Sequence, residues 1–178
     1  MRGRVALAVA ALCCFAEPAV AAGAHERVPR VQRDAYPYSP GHDAQGLDPR
    51  GFDAGFCASY VAWWEATYRH VQMTGNSADT SGAVVFQGLD ANWIDEARAA
   101  GWHVSRSPHV GSIALFGDDV HWRDGSESGS DGDHVGVVTY VFRNGDARVQ
   151  DYADPWPGYR HVGRAAPRQF RAFLTPRY

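Results

Sequence analysis

The sequence contains no lysine: all 17 of its basic residues are arginines, set against 20 acids for a formal net charge of −3. A chain with no excess of positive charge lacks the basic face that sequence-independent nucleic-acid binding requires, and that class of partner is excluded. Cysteine is scarce, at three residues, and two of them, Cys13 and Cys14, adjoin each other in the first apolar stretch. Cys57 therefore stands alone in the rest of the chain, which excludes an intramolecular disulfide framework there. Long hydrophobic runs are missing too. Val5 to Ala16 gives an apolar stretch of twelve, short of the ~20 residues a bilayer-spanning helix needs. No later run reaches spanning length, so no membrane span is expected.

The opening residues, MRGRVALAVAALCCFAEPAVAAG, combine Arg2 and Arg4, the apolar stretch, and the small-x-small pattern Ala19-Val20-Ala21. These are the three parts of a secretory signal, so residues 1–21 are expected to be a leader removed on export to a periplasmic or extracellular compartment. Leu12 directly precedes Cys13, which leaves no small-residue spacer and argues against a lipoprotein signal. The remaining 157 residues carry 15 Arg against 19 acids and one cysteine, Cys57. Exported proteins usually spend cysteines in pairs. A single one is an intermolecular bridge, an accident, or a reactive thiol kept for a purpose.

Residues 22–35 are expected to form a flexible arm and 36–178 one domain. The stretch PYSPGHDAQGLDPRG has no hydrophobic period and reads as loop. From Phe56 to about Val71, Tyr60, Val61, Trp63, Trp64 and Tyr68 recur near helical spacing, with Asp53 as a possible N-cap. DANWIDEARAA (90–100) fits a second helix stopped by Gly101. Beyond Pro108 the period shortens to that of strands: SIALFG (112–117), HVGVVTYVF (134–142) and ARVQDYA (147–153), the last two joined at Asn144-Gly145, a strong hairpin signal. The polar, Gly-rich 118–133 reads as a surface loop, and FRAFL (170–174) as a final short strand closing the sheet. Two helices followed by antiparallel strands predict an α+β domain.

A cysteine at the start of a helix gains from the partial positive charge of the free N–H groups there, which favours thiolate. Its partner in acid–base work is most often a histidine. Of the eight histidines, His134 is the best placed, opening a strand after an acidic loop. With a two-residue turn at Asn144-Gly145, residues pair when their numbers sum to about 289. Asp151 then shares the face of His134, whereas Asp154 does not. In that register Asp151 stands opposite Val138, four residues along from His134, and only a wider turn or a bulge brings the two together.

In this order and spacing the residues resemble the CHAP family, the cysteine- and histidine-dependent amidohydrolases and peptidases of bacterial cell-wall turnover. YPY (36–38), LDPRGF (47–52) and Cys57 leading into SYVAWW are similar to the family's aromatic opening and nucleophile helix. Gly88, Ala91, Trp93, Ala97 and Gly101 are similar to its second helix, PHVGSIA (108–114) to its P-x-V-G-x-I-A approach to the sheet, and His134-Val135 to its histidine strand. Asp151 stands where the family usually carries Glu. The sequence departs from the family's pattern at Phe56 in place of a polar residue before the cysteine, at Asp133 in place of Gly before the histidine, and at Ala153 in place of Asn.

The resemblance implies a papain-like α+β domain, N-terminal helices packed on a mostly antiparallel sheet, in which Cys57 attacks an amide carbonyl. His134 then protonates the leaving amine and activates the water that releases the acyl group, while Asp151 orients the ring. The implied substrate is an amide bond of peptidoglycan, either muramoyl-L-alanine or a peptide cross-bridge. An amide in a small peptide conjugate, or binding without catalysis, are the alternatives. No cofactor is implied. Trp122 and Trp156, beside polar loops, are candidates for a substrate groove. Asp124, Ser126, Ser128 and Gly129 mimic the opening of a calcium loop, but Val135 stands at its closing position. Of the acids that precede the cysteine in calcium-binding relatives only Asp48 is present, so no metal is expected, and the chain is read as a monomer.

Overall fold

The structure, a computed structural model, describes residues 35–38, 46–76, 81–87, 90–117, 120–128, 134–153 and 159–177. The expected leader, most of the expected arm, Asp133, Asp154 and Trp156 lie outside the described residues. The first helix, α1, runs Cys57–Trp64 and continues as a π-turn over Glu65–Arg69. His70 ends it at φ 59, in the left-handed region that histidine tolerates better than most residues. Asp53 does not cap α1. The N-cap is Phe56, with extended backbone and no side-chain cap, while Asp53 accepts from the Phe56 N–H through its main-chain oxygen at 3.3 Å.

The second helix, α2, spans Asp90–Ala99. Gly101, at φ 76, turns the chain so that its N–H reaches the Arg98 carbonyl and the N–H of Trp102 reaches that of Ala97. That pair of bonds satisfies the last helical carbonyls and brings Trp102 back onto the helix. A short parallel pair, β1 (Met73–Thr74) with β2 (Val84–Val85), lies between the helices in the chain.

Six strands form the main sheet, every neighbouring pair antiparallel. They are β3 (His103–Ser105), β4 (Ile113–Phe116), β7 (Val135–Val141), β8 (Ala147–Ala153), β9 (Tyr159–Ala165) and β10 (Phe170–Thr175), ordered β3-β10-β4-β7-β8-β9. This is the α+β architecture the sequence predicts, with two differences. The final strand is interior, between β3 and β4, because both of its faces are buried. The loop 118–133 contains a small hairpin, β5 (Val120–His121) with β6 (Glu127–Ser128).

Alternation on β4 shows how the sheet divides the core. Ile113 and Leu115 join Tyr60, Trp64, Trp93, Val135, Val137 and Tyr152 on the helix side, while Ala114 and Phe116 join Trp122, Val138, Val149, Phe170 and Phe173 on the other. A strand buried on both faces reads as an unbroken apolar run, which is why IALF carries no alternation of its own. The helix α1 packs on β7 and β8 and so holds its first residue, Cys57, against the end of β7 where His134 stands.

Candidate active site

Cys57 is half-buried, unpaired with any other cysteine, and fixed from behind by a closed set of hydrogen bonds. Asp48, buried two turns of chain ahead of it, accepts the N–H groups of Arg50 and Phe52 at 2.8 and 3.0 Å on one oxygen. Its other oxygen takes the Ser59 hydroxyl at 2.6 Å. Ser59 accepts in turn from the Tyr36 hydroxyl at 2.7 Å, and Tyr36 accepts the Gly55 N–H at 3.1 Å. Burial pushes the Tyr36 hydroxyl up to about 12, so it stays a neutral donor at physiological pH. The loop 46–56 is thereby tied to the first turn of α1. The acidic side chain expected from sequence as the remnant of a calcium site spends its oxygens on protein donors. Among the described residues, no three His, Cys, Asp or Glu side chains group as metal ligands.

His134 immediately precedes β7 and is 4% exposed. Its Nε2 meets Asp151 Oδ2 at 2.5 Å, and its ring is hydrogen-bonded to Cys57 as well. With Nε2 facing the carboxylate, Nδ1 is the nitrogen left for the sulfur. Burial opposes charge on the ring, but the hydrogen bonds to Asp151 and Cys57 and the charges of both outweigh it, and the His134 pKa is carried up to about 10. The ring is accordingly held as an imidazolium through the neutral range. The structure thus brings Cys57, His134 and Asp151 into one hydrogen-bonded line.

Two departures from the simple hairpin make this contact possible. The turn is wider than two residues: Phe142 and Asp146 face each other across Arg143-Asn144-Gly145, with the Gly145 N–H on the Phe142 carbonyl and Gly145 at φ 83. A type I turn closed by a left-handed glycine is the usual three-residue solution. Thr139 then bulges out, so the pairing moves from Tyr140↔Arg148 to Val138↔Val149. Each irregularity slides Asp151 one residue toward His134. One slip alone would have put the two on opposite faces of the sheet; two restore the parity and halve the separation. Asp151 now stands beside Gly136. A Cβ there would overlap the Val149 side chain and lie 3.0 Å from the Gln150 carbonyl oxygen and 3.1 Å from Asp151 Cβ, so this position is closed to larger residues.

A second imidazole shares the carboxylate. His161, the direct cross-strand partner of Asp151 on β9, places Nδ1 3.2 Å from Asp151 Oδ1. Sequence spacing gave no sign of it. The segment YRHVGRA turns a half-buried histidine and a buried glycine to one face and exposes Val162 and Arg164 on the other, the reverse of a hydrophobic alternation. Trp122 proves to be 4% exposed, packed at a tilt against His161 with ring centroids 4.6 Å apart and edge-to-face against Phe116 at 5.6 Å. The small hairpin folds it onto the sheet, so it buttresses an imidazole instead of presenting a face to a ligand. The large apolar side chain exposed beside the thiol is Phe56, at 42%.

A model of the CHAP domain matches residues 48–153, more than half of the chain. The crystal structure of an N-acetylmuramoyl-L-alanine amidase from Staphylococcus aureus is similar over 71% of this chain and 31% of that one, with 17% identity and a TM-score of 0.48. The chain therefore spans less than a third of that structure's length. No curated protein matches the sequence.

Proposed function

The chain belongs to the CHAP domain family, and from that premise we propose that it is an exported cysteine amidohydrolase or endopeptidase that cleaves an amide bond of peptidoglycan. The bond is the muramoyl-L-alanine linkage or one within the peptide cross-bridges. The reading is carried by a single observation: one buried imidazole, His134, is hydrogen-bonded both to the lone cysteine at a helix start and to a buried carboxylate.

In the mechanism that follows, the Cys57 sulfur attacks the amide carbonyl as thiolate. The oxyanion that forms is stabilised by the Cys57 N–H at the start of α1, where the free N–H groups favour negative charge. As the tetrahedral adduct collapses, the His134 imidazolium gives its proton to the departing amine and a thioester remains. The neutral ring then takes a proton from water, the hydroxide equivalent attacks the thioester carbonyl, and Cys57 leaves as thiolate with His134 again protonated. Asp151 keeps the Nε2 proton in place throughout, so that Nδ1 always faces the chemistry.

The test is digestion of purified sacculi, with the released fragments identified by mass spectrometry. Release by the wild type and none by Cys57→Ala supports the reading, and the new termini identify the bond. If sacculi release nothing while Cys57 is alkylated by iodoacetamide faster than a free thiol at pH 6, the substrate is a smaller peptide amide. Sluggish alkylation together with no release marks a binding module instead.

A further inference from the structure

Only one of the two imidazoles on Asp151 has a part in the chemistry above. A carboxylate turns about a soft, broad terminal torsion. Held by His134 alone, its plane could swing and carry the ring with it. Ala153, at the position where CHAP chains often have Asn, offers no polar group to steady either side chain. Asp151 is wholly buried, and each of its oxygens meets one imidazole: Oδ2 the Nε2 of His134 at 2.5 Å, Oδ1 the Nδ1 of His161 at 3.2 Å.

His161 is itself seated with care. It pairs directly across β8–β9 with Asp151, its side chain is 15% exposed, and the indole of Trp122 packs against it at a tilt. Two residues on along the same face, Gly163 leaves the space that this ring contact occupies. A Cβ at that position would overlap Trp122 and lie 2.6 Å from His161 Cε1. The charged or titratable groups facing this pair of rings are Asp151 and Cys57 around His134, and Asp151 and Asp124 around His161.

We propose that His161 is a positioning residue of the site: its Nδ1–H, donated to Asp151 Oδ1, fixes the plane of the carboxylate so that Oδ2 holds His134 with its free nitrogen on Cys57. The proposal rests on the reading that Cys57 and His134 perform the chemistry, but it can be tested apart from the substrate. An Asn side chain puts its amide N–H near the place of a histidine Nδ1, whereas Gln puts it near that of Nε2. His161→Asn should therefore work and His161→Gln should not, while His161→Leu keeps the volume and removes the donor.

Three readouts are taken on each variant: the titration of His134 by imidazole NMR, the pH profile of Cys57 alkylation by iodoacetamide, and the clearing of purified sacculi. In His161→Leu and His161→Gln the His134 midpoint should fall, alkylation at pH 6 should slow, and kcat on sacculi should drop about tenfold with KM little changed, as expected when a reacting group is mispositioned. His161→Asn should recover most of all three. Equal behaviour of the Asn and Gln variants overturns the proposal even if the Leu variant does not fold, and so does an unmoved His134 titration in either His161→Leu or His161→Gln. If the wild type clears no sacculi, the peptidoglycan assignment fails, while NMR and alkylation still decide the role of His161.

Discussion

Replacing Asp151 by Asn preserves the outline of the side chain and removes its charge, and the consequences can be worked from the geometry. His134 titrates at about 10, against an ordinary value of 6.5, because its partners outweigh burial. A gap of that size corresponds to roughly 5 kcal/mol at ~1.4 kcal/mol per unit, shared between Asp151 and Cys57. Giving Asp151 about half, Asp151→Asn should lower the His134 midpoint by about two units and cost about 2–3 kcal/mol of stability. The sign is specific. A histidine whose pKa rises on folding contributes stability that is complete below its unfolded value and is lost as pH climbs through the folded value. Urea unfolding should accordingly show the full loss at pH 6, a shrinking one above about pH 8, and little of it by pH 10.

The rate should respond more strongly than the stability. Whenever the Asn amide turns its NH2 toward Nε2, the ring must carry its proton on Nδ1, where it cannot accept one from the thiol. Turnover at neutral pH should fall about 10²–10⁴-fold, the range found when an orienting carboxylate is neutralised in this way. A His134 titration unmoved in Asp151→Asn, or a destabilisation of the same size at pH 6 and pH 10, would refute the assignment of the raised pKa to this carboxylate.

Gly136→Ala should cost about 1–3 kcal/mol in thermal unfolding, since its Cβ meets the Val149 side chain and the Gln150 carbonyl oxygen across the hairpin. It should also slow sacculus clearing; a variant as stable as the wild type would mean that β7 and β8 move apart without strain. His134→Ala should bring iodoacetamide labelling of Cys57 at pH 6 down to the rate of a peptide thiol, and labelling as fast as in the wild type would detach the thiol from this imidazole. Glu65 is fully buried in the π-turn, neither carboxylate oxygen has a hydrogen-bond partner among the described residues, and burial, opposed by the Arg69 charge, pushes its pKa up to about 8. An acid raised in this way stabilises the fold fully below its unfolded value near 4.5 and progressively less as pH rises through 8. Melting temperatures at pH 5 and pH 9 should therefore diverge less in Glu65→Gln than in the wild type, by the equivalent of up to about 4 kcal/mol.

How much of this could be read from the chain depended on whether the signal was local. The apolar runs of β4, β7 and β8, the aromatic helix and the Gly101 stop all carry their own periodicity or punctuation. The common face of His134 and Asp151 was legible because parity along a strand survives an even number of slips. The distance between them was not, since it hangs on a turn one residue wider than Asn144-Gly145 suggests and on a bulge at Thr139 that no residue type announces. Strand β9 escaped because the face it turns inward carries His161, Gly163 and Ala165, chosen to fit Trp122 and Asp151 and not to be apolar. Trp122 misled for the complementary reason: its polar neighbours Arg123 and Asp124 say loop, while the β5–β6 hairpin turns the indole inward.

Two buried aspartates flank the sulfur–imidazole pair, one behind each partner, and their treatment is alike. Asp48 holds three donors that lock the start of α1, and Asp151 holds two imidazoles that lock the sheet side. A buried carboxylate left unpaired is costly, and even a well-paired one adds little net stability over an apolar residue of the same size. Their presence at 5% and 0% exposure is therefore better explained by placement than by stability. Cys57 and His134 approach from different layers of the fold, a helix end and a strand end, and nothing in the packing of aliphatic side chains would fix their separation to the few tenths of an ångström that proton transfer demands. Directional bonds to a charged acceptor do. The shorter Asp in place of Glu, the double register slip and the second histidine then form one solution: the slips bring the short side chain within reach, and His161 takes up the oxygen that would otherwise be free to turn.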